Sequence, residues 1–95
     1  MKTLFVYQII DSLSENILRT FLGPNDRLAE NLFFEFCSGD GMKNADLSDI
    51  CLIRCADNSG VFESYRDYSE NFDDSDGAEF LWYGNDLVED RKHES

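Results

Sequence analysis

The sequence predicts a small single α+β domain in which two helices pack on a mainly antiparallel four-stranded sheet. Four segments are rich in the β-branched and aromatic residues that favour strands. Two segments between the first and second of them carry apolar residues at helical spacing. The predicted order is therefore β-α-α-β-β-β, an order typical of helices segregated to one face of a sheet.

A length of 95 residues limits the chain to one modest core. We expect residues 1–88 to form this domain. Residues 89–95 are mostly charged, and we expect them to form a frayed C-terminal tail.

The first strand is predicted at residues 3–10, which read TLFVYQII and are apolar on both faces, as in a central strand. A helix is predicted to follow. Ser12 and Glu15 have the spacing of a capping box, in which each side chain bonds to the backbone N–H near the other residue. Apolar residues then recur at helical spacing until Gly23-Pro24, which ends the predicted helix.

A second helix is predicted from Asn25 or Asp26, either of which can cap it. Its apolar face comprises Leu28, Ala29, Leu32, Phe33, Phe36 and Cys37. A strand at residues 32–36 is the alternative prediction, because aromatic residues favour sheets.

The second half of the chain is predicted to contain three strands. Residues 50–56 and 61–68 flank the turn residues 57–60 and predict a hairpin. An acidic loop at 69–77 precedes the last strand, 78–83, whose Phe80 and Trp82 we expect in the core. These strands carry more apolar positions than one buried face requires, so pairing of an edge strand with a second copy is a further prediction.

Charge excludes several classes of partner. The chain has 20 acidic and 8 basic residues and a net charge of −12, which disfavours direct binding to nucleic acid or to an anionic membrane. Neither a membrane span, which needs about 18 apolar residues, nor a signal peptide is expected. We therefore expect a cytoplasmic protein, in the host cytosol if a phage encodes it.

Nine acidic residues and no basic residue lie between Asp67 and Asp90. Carboxylates two apart on a strand stand about 6.6 Å apart, which is comparable to the spacing of nucleic-acid phosphates. Such an array favours a basic, nucleic-acid-binding protein as the partner. An acidic surface that only confers solubility is the alternative. The candidate partner-binding residues are Glu63, Asp67, Tyr68, Glu70, Phe72, Asp73, Asp74, Asp76 and Glu79.

Two functions fit this pattern. The first is a nucleic-acid mimic that inhibits a nuclease or a CRISPR or restriction effector, as phage anti-CRISPR and anti-restriction proteins do. The alternative is an immunity or antitoxin protein that neutralises one basic toxin enzyme through a few aromatic anchors.

No enzymatic function is expected from the sequence. The one histidine, His93, lies in the charged tail, and no assembled nucleophile, base and acid is recognisable. No cofactor or metal is expected either. An EF-hand loop around Asp73–Gly77 would place Phe72 and Tyr83 at its terminal ligand positions, and neither side chain can bind Ca²⁺. The three cysteines are expected to be buried thiols.

Overall fold

The computed structural model describes residues 4–39, 47–55, 61–74 and 77–93. Its elements, in chain order, are β1 (Phe5–Asp11), β2 (Asn16–Gly23), α1 (Asp26–Ser38), a 3-10 turn (Leu47–Asp49), β3 (Ile50–Arg54), α2 (Tyr65–Asn71), β4 (Glu79–Tyr83) and α3 (Gly84–His93). The predicted turn at 57–60 lies outside the described residues.

The four strands form one antiparallel sheet in the order β2-β1-β3-β4. This confirms the α+β class and the four-stranded antiparallel sheet. The apolar segment 3–10 does supply a central strand, because β1 lies between β2 and β3. The helices number three rather than two among the described residues, and they cover both faces of the sheet.

The first face of the sheet is covered by α1 and α3. Tyr7, Ile9 and Leu52 from the central strands pack with Phe33 of α1 and Leu87 of α3. All five side chains are at most 1% exposed. This is the larger of the two clusters of buried residues.

The second face is covered by α2 and the segment before it. Ile10, Cys51 and Ile53 pack with Phe62, and Tyr68 of α2 adds a partly buried ring. The prediction that the helices pack on one face is therefore corrected. β1 and β3 are apolar on both sides, so each side needs a covering layer to exclude water.

The predicted helix at residues 12–22 is wrong, because residues 16–23 form β2 and pair with β1. Ser12 and Glu15 lie in the turn between β1 and β2 and do not form a capping box. The Asp11 carboxylate organises this turn by accepting from the N–H groups of Leu13 (2.9 Å) and Ser14 (3.3 Å). Short apolar runs fit helical and strand periods alike, and pairing with β1 decides between them here.

The predicted strand at 61–68 is also wrong, since α2 occupies Tyr65–Asn71. Ser64 caps this helix by accepting from the Asp67 N–H at 3.2 Å. In return, the Asp67 carboxylate accepts from the Glu63 N–H at 3.1 Å. The spacing Ser-x-x-Asp, which resembles a capping box, was the feature of the sequence that indicated a helix start here.

Helix α1 confirms the helical interpretation of residues 32–36. Its N-cap is Asn25, whose side chain accepts from the Leu28 N–H at 2.9 Å. Only half of the predicted apolar face is buried, namely Ala29, Phe33 and Cys37. Leu28 and Leu32 are 46% and 47% exposed.

A frayed tail was predicted for residues 89–95, but residues 89–93 belong to a helix, and residues 94–95 lie outside the described residues. Helix α3 runs to His93 and docks on α1 through Arg91, which donates to the Asn31 side chain at 2.7 Å. Its first residue, Gly84, is buried so closely that a Cβ atom there would lie 3.0 Å from the Cys37 Sγ. Tertiary contacts rather than a strong apolar pattern therefore hold this helix.

Candidate functional site

The strongest candidate site is the acidic surface of residues 61–74, here called the α2 layer. It carries five acidic residues and one basic residue, Arg66. Four of the acidic side chains are exposed: Glu63, Glu70, Asp73 and Asp74. The structure thus places these four predicted residues on one short helix and the turns that flank it.

Asp67 has a structural role within this layer. One of its carboxylate oxygens accepts from the Glu63 N–H, and the other accepts from the Asn71 side chain at 2.7 Å. The carboxylate therefore links the segment before α2 to the last residue of the helix. Glu70 contacts Arg66 at 3.2 Å in an ion pair that is exposed on both sides, and such pairs contribute little to stability.

Glu79 lies away from this layer, in an ion pair on the first face of the sheet. Its Oε2 accepts from Arg54 Nη2 at 2.8 Å. Arg54 Nη1 contacts both carboxylate oxygens of Asp26, at 2.8 and 3.0 Å. The Tyr7 hydroxyl also donates to Asp26, at 2.8 Å. This network joins β1, β3 and β4 to the start of α1, which gives Glu79 an intramolecular partner.

Tyr68 and Phe72 pack inward rather than standing free as anchors. Their ring centroids are 5.2 Å apart, and both rings contact Phe62. The Tyr68 hydroxyl lies 4.0 Å from the Cys51 Sγ, and burial raises the pKa of Tyr68. These two side chains hold the α2 layer on the sheet. Asp76, also a predicted site residue, lies outside the described residues.

An exposed aromatic pair, Phe80 and Tyr83, lies on β4 beside this layer. Their ring centroids are 4.7 Å apart, and the two residues are 43% and 46% exposed. They lie opposite Ile53 and Cys51 in the register, so they share the sheet face that α2 covers. Phe80 was expected in the core. A bulge at the position of Leu81 and the edge location of β4 leave it exposed instead.

A second feature is a largely apolar groove of about 660 Å³ between β2 and α1. Its lining residues are Ile9, Arg19, Phe21, Leu32, Glu35, Phe36 and Gly39. The Arg19 guanidinium lies 5.4 Å from the centroid of the Phe36 ring, a cation–π distance.

Cys37, Cys51 and Cys55 are free, buried thiols, and burial raises the pKa of each to about 11. Among the described residues, no group of three or more His, Cys, Asp or Glu side chains could hold a metal ion. In that same part of the chain, none of the helices has the length and apolar character required to cross a bilayer.

Comparison with known proteins gives no match to any family model, curated protein or solved structure.

Proposed function

We propose that this protein is an inhibitor that occupies the basic, nucleic-acid-binding surface of another protein. The observation that carries the proposal is the exposure of Glu63, Glu70, Asp73 and Asp74 on the α2 layer, where Arg66 is the only base. Like charges gathered on one short segment repel one another and destabilise the folded state. A basic partner relieves this repulsion, and the field of the array speeds association with that partner.

The support beneath the α2 layer favours binding over simple solubility. The helix is short, yet it is capped by Ser64 and packed on the sheet through Tyr68 and Phe72. Its carboxylates therefore start from a defined backbone, which lowers the entropy lost when a partner binds. Solubility alone requires no such ordered support.

The partner class follows from the chemistry of the layer. A groove lined with Lys and Arg for phosphates also accepts carboxylates, because both anions take charge-assisted hydrogen bonds from guanidinium groups. Nucleases and CRISPR or restriction effectors carry such grooves. An inhibitor of this class acts in the cytosol where these enzymes work, and a phage or mobile element is a fitting source.

Retention of proteins from a bacterial lysate on the tagged full chain tests the proposal. We expect nucleic-acid-binding proteins to be retained, and competitor duplex DNA or added salt to release them. The double variant Glu70→Lys, Asp73→Lys should abolish retention. The matched control Glu15→Lys, Asp90→Lys changes the net charge equally at exposed sites outside the layer and should leave retention intact.

Two results contradict the proposal. One is retention that duplex DNA does not compete with. The other is equal loss of retention in both double variants, because that result assigns binding to net charge rather than to the α2 layer.

The exposed Phe80–Tyr83 pair favours a second candidate, an immunity protein that neutralises one basic toxin. Large aromatic side chains within a polar rim are typical of binding hot spots. In this case Phe80→Ala or Tyr83→Ala should remove most of the affinity, and salt should have a weaker effect. A mimic that depends on charge should instead tolerate either substitution and lose its affinity as salt is added.

A further inference from the structure

Within the part of the chain that the structure describes, strand β2 pairs with β1 on one side only and so forms a free edge of the sheet. Strand β4 forms the opposite edge. From Arg19 to Gly23 the register with β1 is regular, because the bulge lies between the partners of Ile9 and Ile10. An edge of this kind offers unpaired backbone N–H and C=O groups to another strand.

Exposed apolar side chains lie around this edge. Leu18 and Leu22 of β2 are 37% and 60% exposed. Leu22 lies on the second face of the sheet, whereas the groove on the first face adds Phe21 and Phe36, together with Leu32, which is 47% exposed. Apolar side chains therefore lie on the strand itself and on the neighbouring helix.

Charge distinguishes the two edges of the sheet. Residues 16–25 contain no acidic residue and one basic residue, Arg19, in a chain of net charge −12. Arg19 contacts the Phe36 ring and makes no ion pair with the described residues. The β4 edge instead begins with Glu79 and follows Asp73, Asp74 and Asp76 in the sequence. A second, equally acidic copy therefore meets less repulsion at the β2 edge than at the β4 edge.

We propose that the protein forms a two-fold dimer in which β2 pairs antiparallel with β2 of a second copy. Centred on Phe21, this pairing places Leu22 opposite Thr20 of the second copy and keeps the two Arg19 residues apart. The two four-stranded sheets become one continuous sheet. Because the two-fold axis is perpendicular to that sheet, both α2 layers lie on the same side of it.

Sedimentation velocity of the full chain from about 1 to about 300 μM tests the dimer, since this range spans moderate affinities. We expect dimers to form with rising concentration. Raising NaCl from about 0.15 to about 0.5 M should strengthen them, because salt screens repulsion between two acidic chains. Added salt should weaken a complex with a basic target, whereas it should strengthen the dimer. Failure of the dimer proposal can therefore be distinguished from failure of the proposed function.

Leu22→Glu places a charge in the proposed interface and should weaken association about tenfold or more. The matched control Phe80→Glu adds the same charge at the β4 edge and should leave association unchanged within about twofold. Both positions are well exposed, so circular dichroism should show an intact fold in each variant.

Three results overturn the proposal. A chain that stays monomeric at every concentration excludes the dimer. Binding of an apolar dye such as anilinonaphthalene sulfonate in the groove would not change that conclusion. Dimers lost in Phe80→Glu but retained in Leu22→Glu assign the interface to β4. Dimers that weaken with salt are held by ion pairs rather than by the acid-free β2 edge.

Discussion

The side-chain amide of Gln8 and the backbone of Phe62 are joined by two hydrogen bonds, one in each direction. Gln8 Nε2 donates to the Phe62 carbonyl at 2.9 Å, and the Phe62 N–H donates to Gln8 Oε1 at 3.2 Å. Nε2 also donates to Thr20 Oγ1, and the Cys55 thiol donates to Oε1. Gln8 is only 1% exposed, so this buried side chain fastens the α2 layer to the middle of the sheet.

Gln8→Leu should destabilise the protein by about 2–3 kcal/mol, because it leaves the buried N–H and C=O of Phe62 without partners. Urea unfolding followed by circular dichroism measures the change, and hydrogen exchange at the Phe62 amide should accelerate. Thr20→Val is the matched control, since it removes one bond to the same amide at an exposed residue and should cost less than about 1 kcal/mol. Equal losses in the two variants would contradict this role of Gln8.

The two carboxylates bound to Arg54 should differ in their contribution to stability. Asp26→Ala removes the bidentate partner of Arg54 and the acceptor of the Tyr7 hydroxyl, and should cost about 1–3 kcal/mol. Glu79→Ala should cost under about 1 kcal/mol, because the Glu79 side chain is 62% exposed and water solvates it. Urea midpoints of both variants test this order, and a larger loss from Glu79→Ala would reverse it.

Gly84→Ala should destabilise the junction of β4 and α3. The new methyl group would lie 3.0 Å from the Cys37 Sγ and 3.2 Å from the Leu47 carbonyl oxygen, so the helix or the turn must shift. We expect a loss of about 1–3 kcal/mol in urea unfolding. Gly39→Ala is the control, because its nearest contact would be an ordinary 3.4 Å. A harmless Gly84→Ala would show that α3 docks less closely than described.

Alkaline pH should weaken the fold through its buried thiols. Burial raises the pKa of Cys37, Cys51 and Cys55 from 9.0 to about 11 in the folded state. Between these values the unfolded chain releases protons that the folded chain keeps, so the free energy of unfolding falls as pH rises. The stabilisation is complete below about pH 9 and is lost towards about pH 11.

Urea midpoints at about pH 7.5, 9 and 10.5 measure this decline. The raised pKa values of Tyr7 and Tyr68 act in the same direction. As an independent check at about pH 8, a thiol-alkylating reagent should react with the unfolded chain much faster than with the folded one, because thiolate is the reactive form. A midpoint that stays constant or rises with pH would contradict the burial of these thiols.

Part of the fold could be predicted because the local sequence pattern favoured the same conformation as the tertiary contacts. The segment that forms β1 is apolar on both faces, and it lies at the centre of the sheet with layers on both sides. Asn25 was one of two residues proposed to cap α1, and it does so. The exposure of four acidic residues of the α2 layer follows from charge alone, since ionised carboxylates favour water.

The other site predictions depended on contacts that a linear pattern does not contain. Glu79 has a partner because the register of β3 and β4 brings Arg54 beside it. Tyr68 and Phe72 are turned inward because α2 covers the second face of the sheet. Phe80 and Tyr83 are exposed because, among residues 4–39, 47–55, 61–74 and 77–93, no strand pairs with the outer side of β4.

The sequence by itself determined the acidic character of the protein, its α+β class and its apolar central strands, because charge and strand composition are local properties. The tertiary structure decided that residues 16–23 form a strand, that residues 65–71 form a helix and that residues 84–93 dock as a helix. In each of these segments the local sequence pattern alone does not select the observed conformation. Pairing with β1, packing on the second sheet face and contact with α1 supply the free energy that selects it.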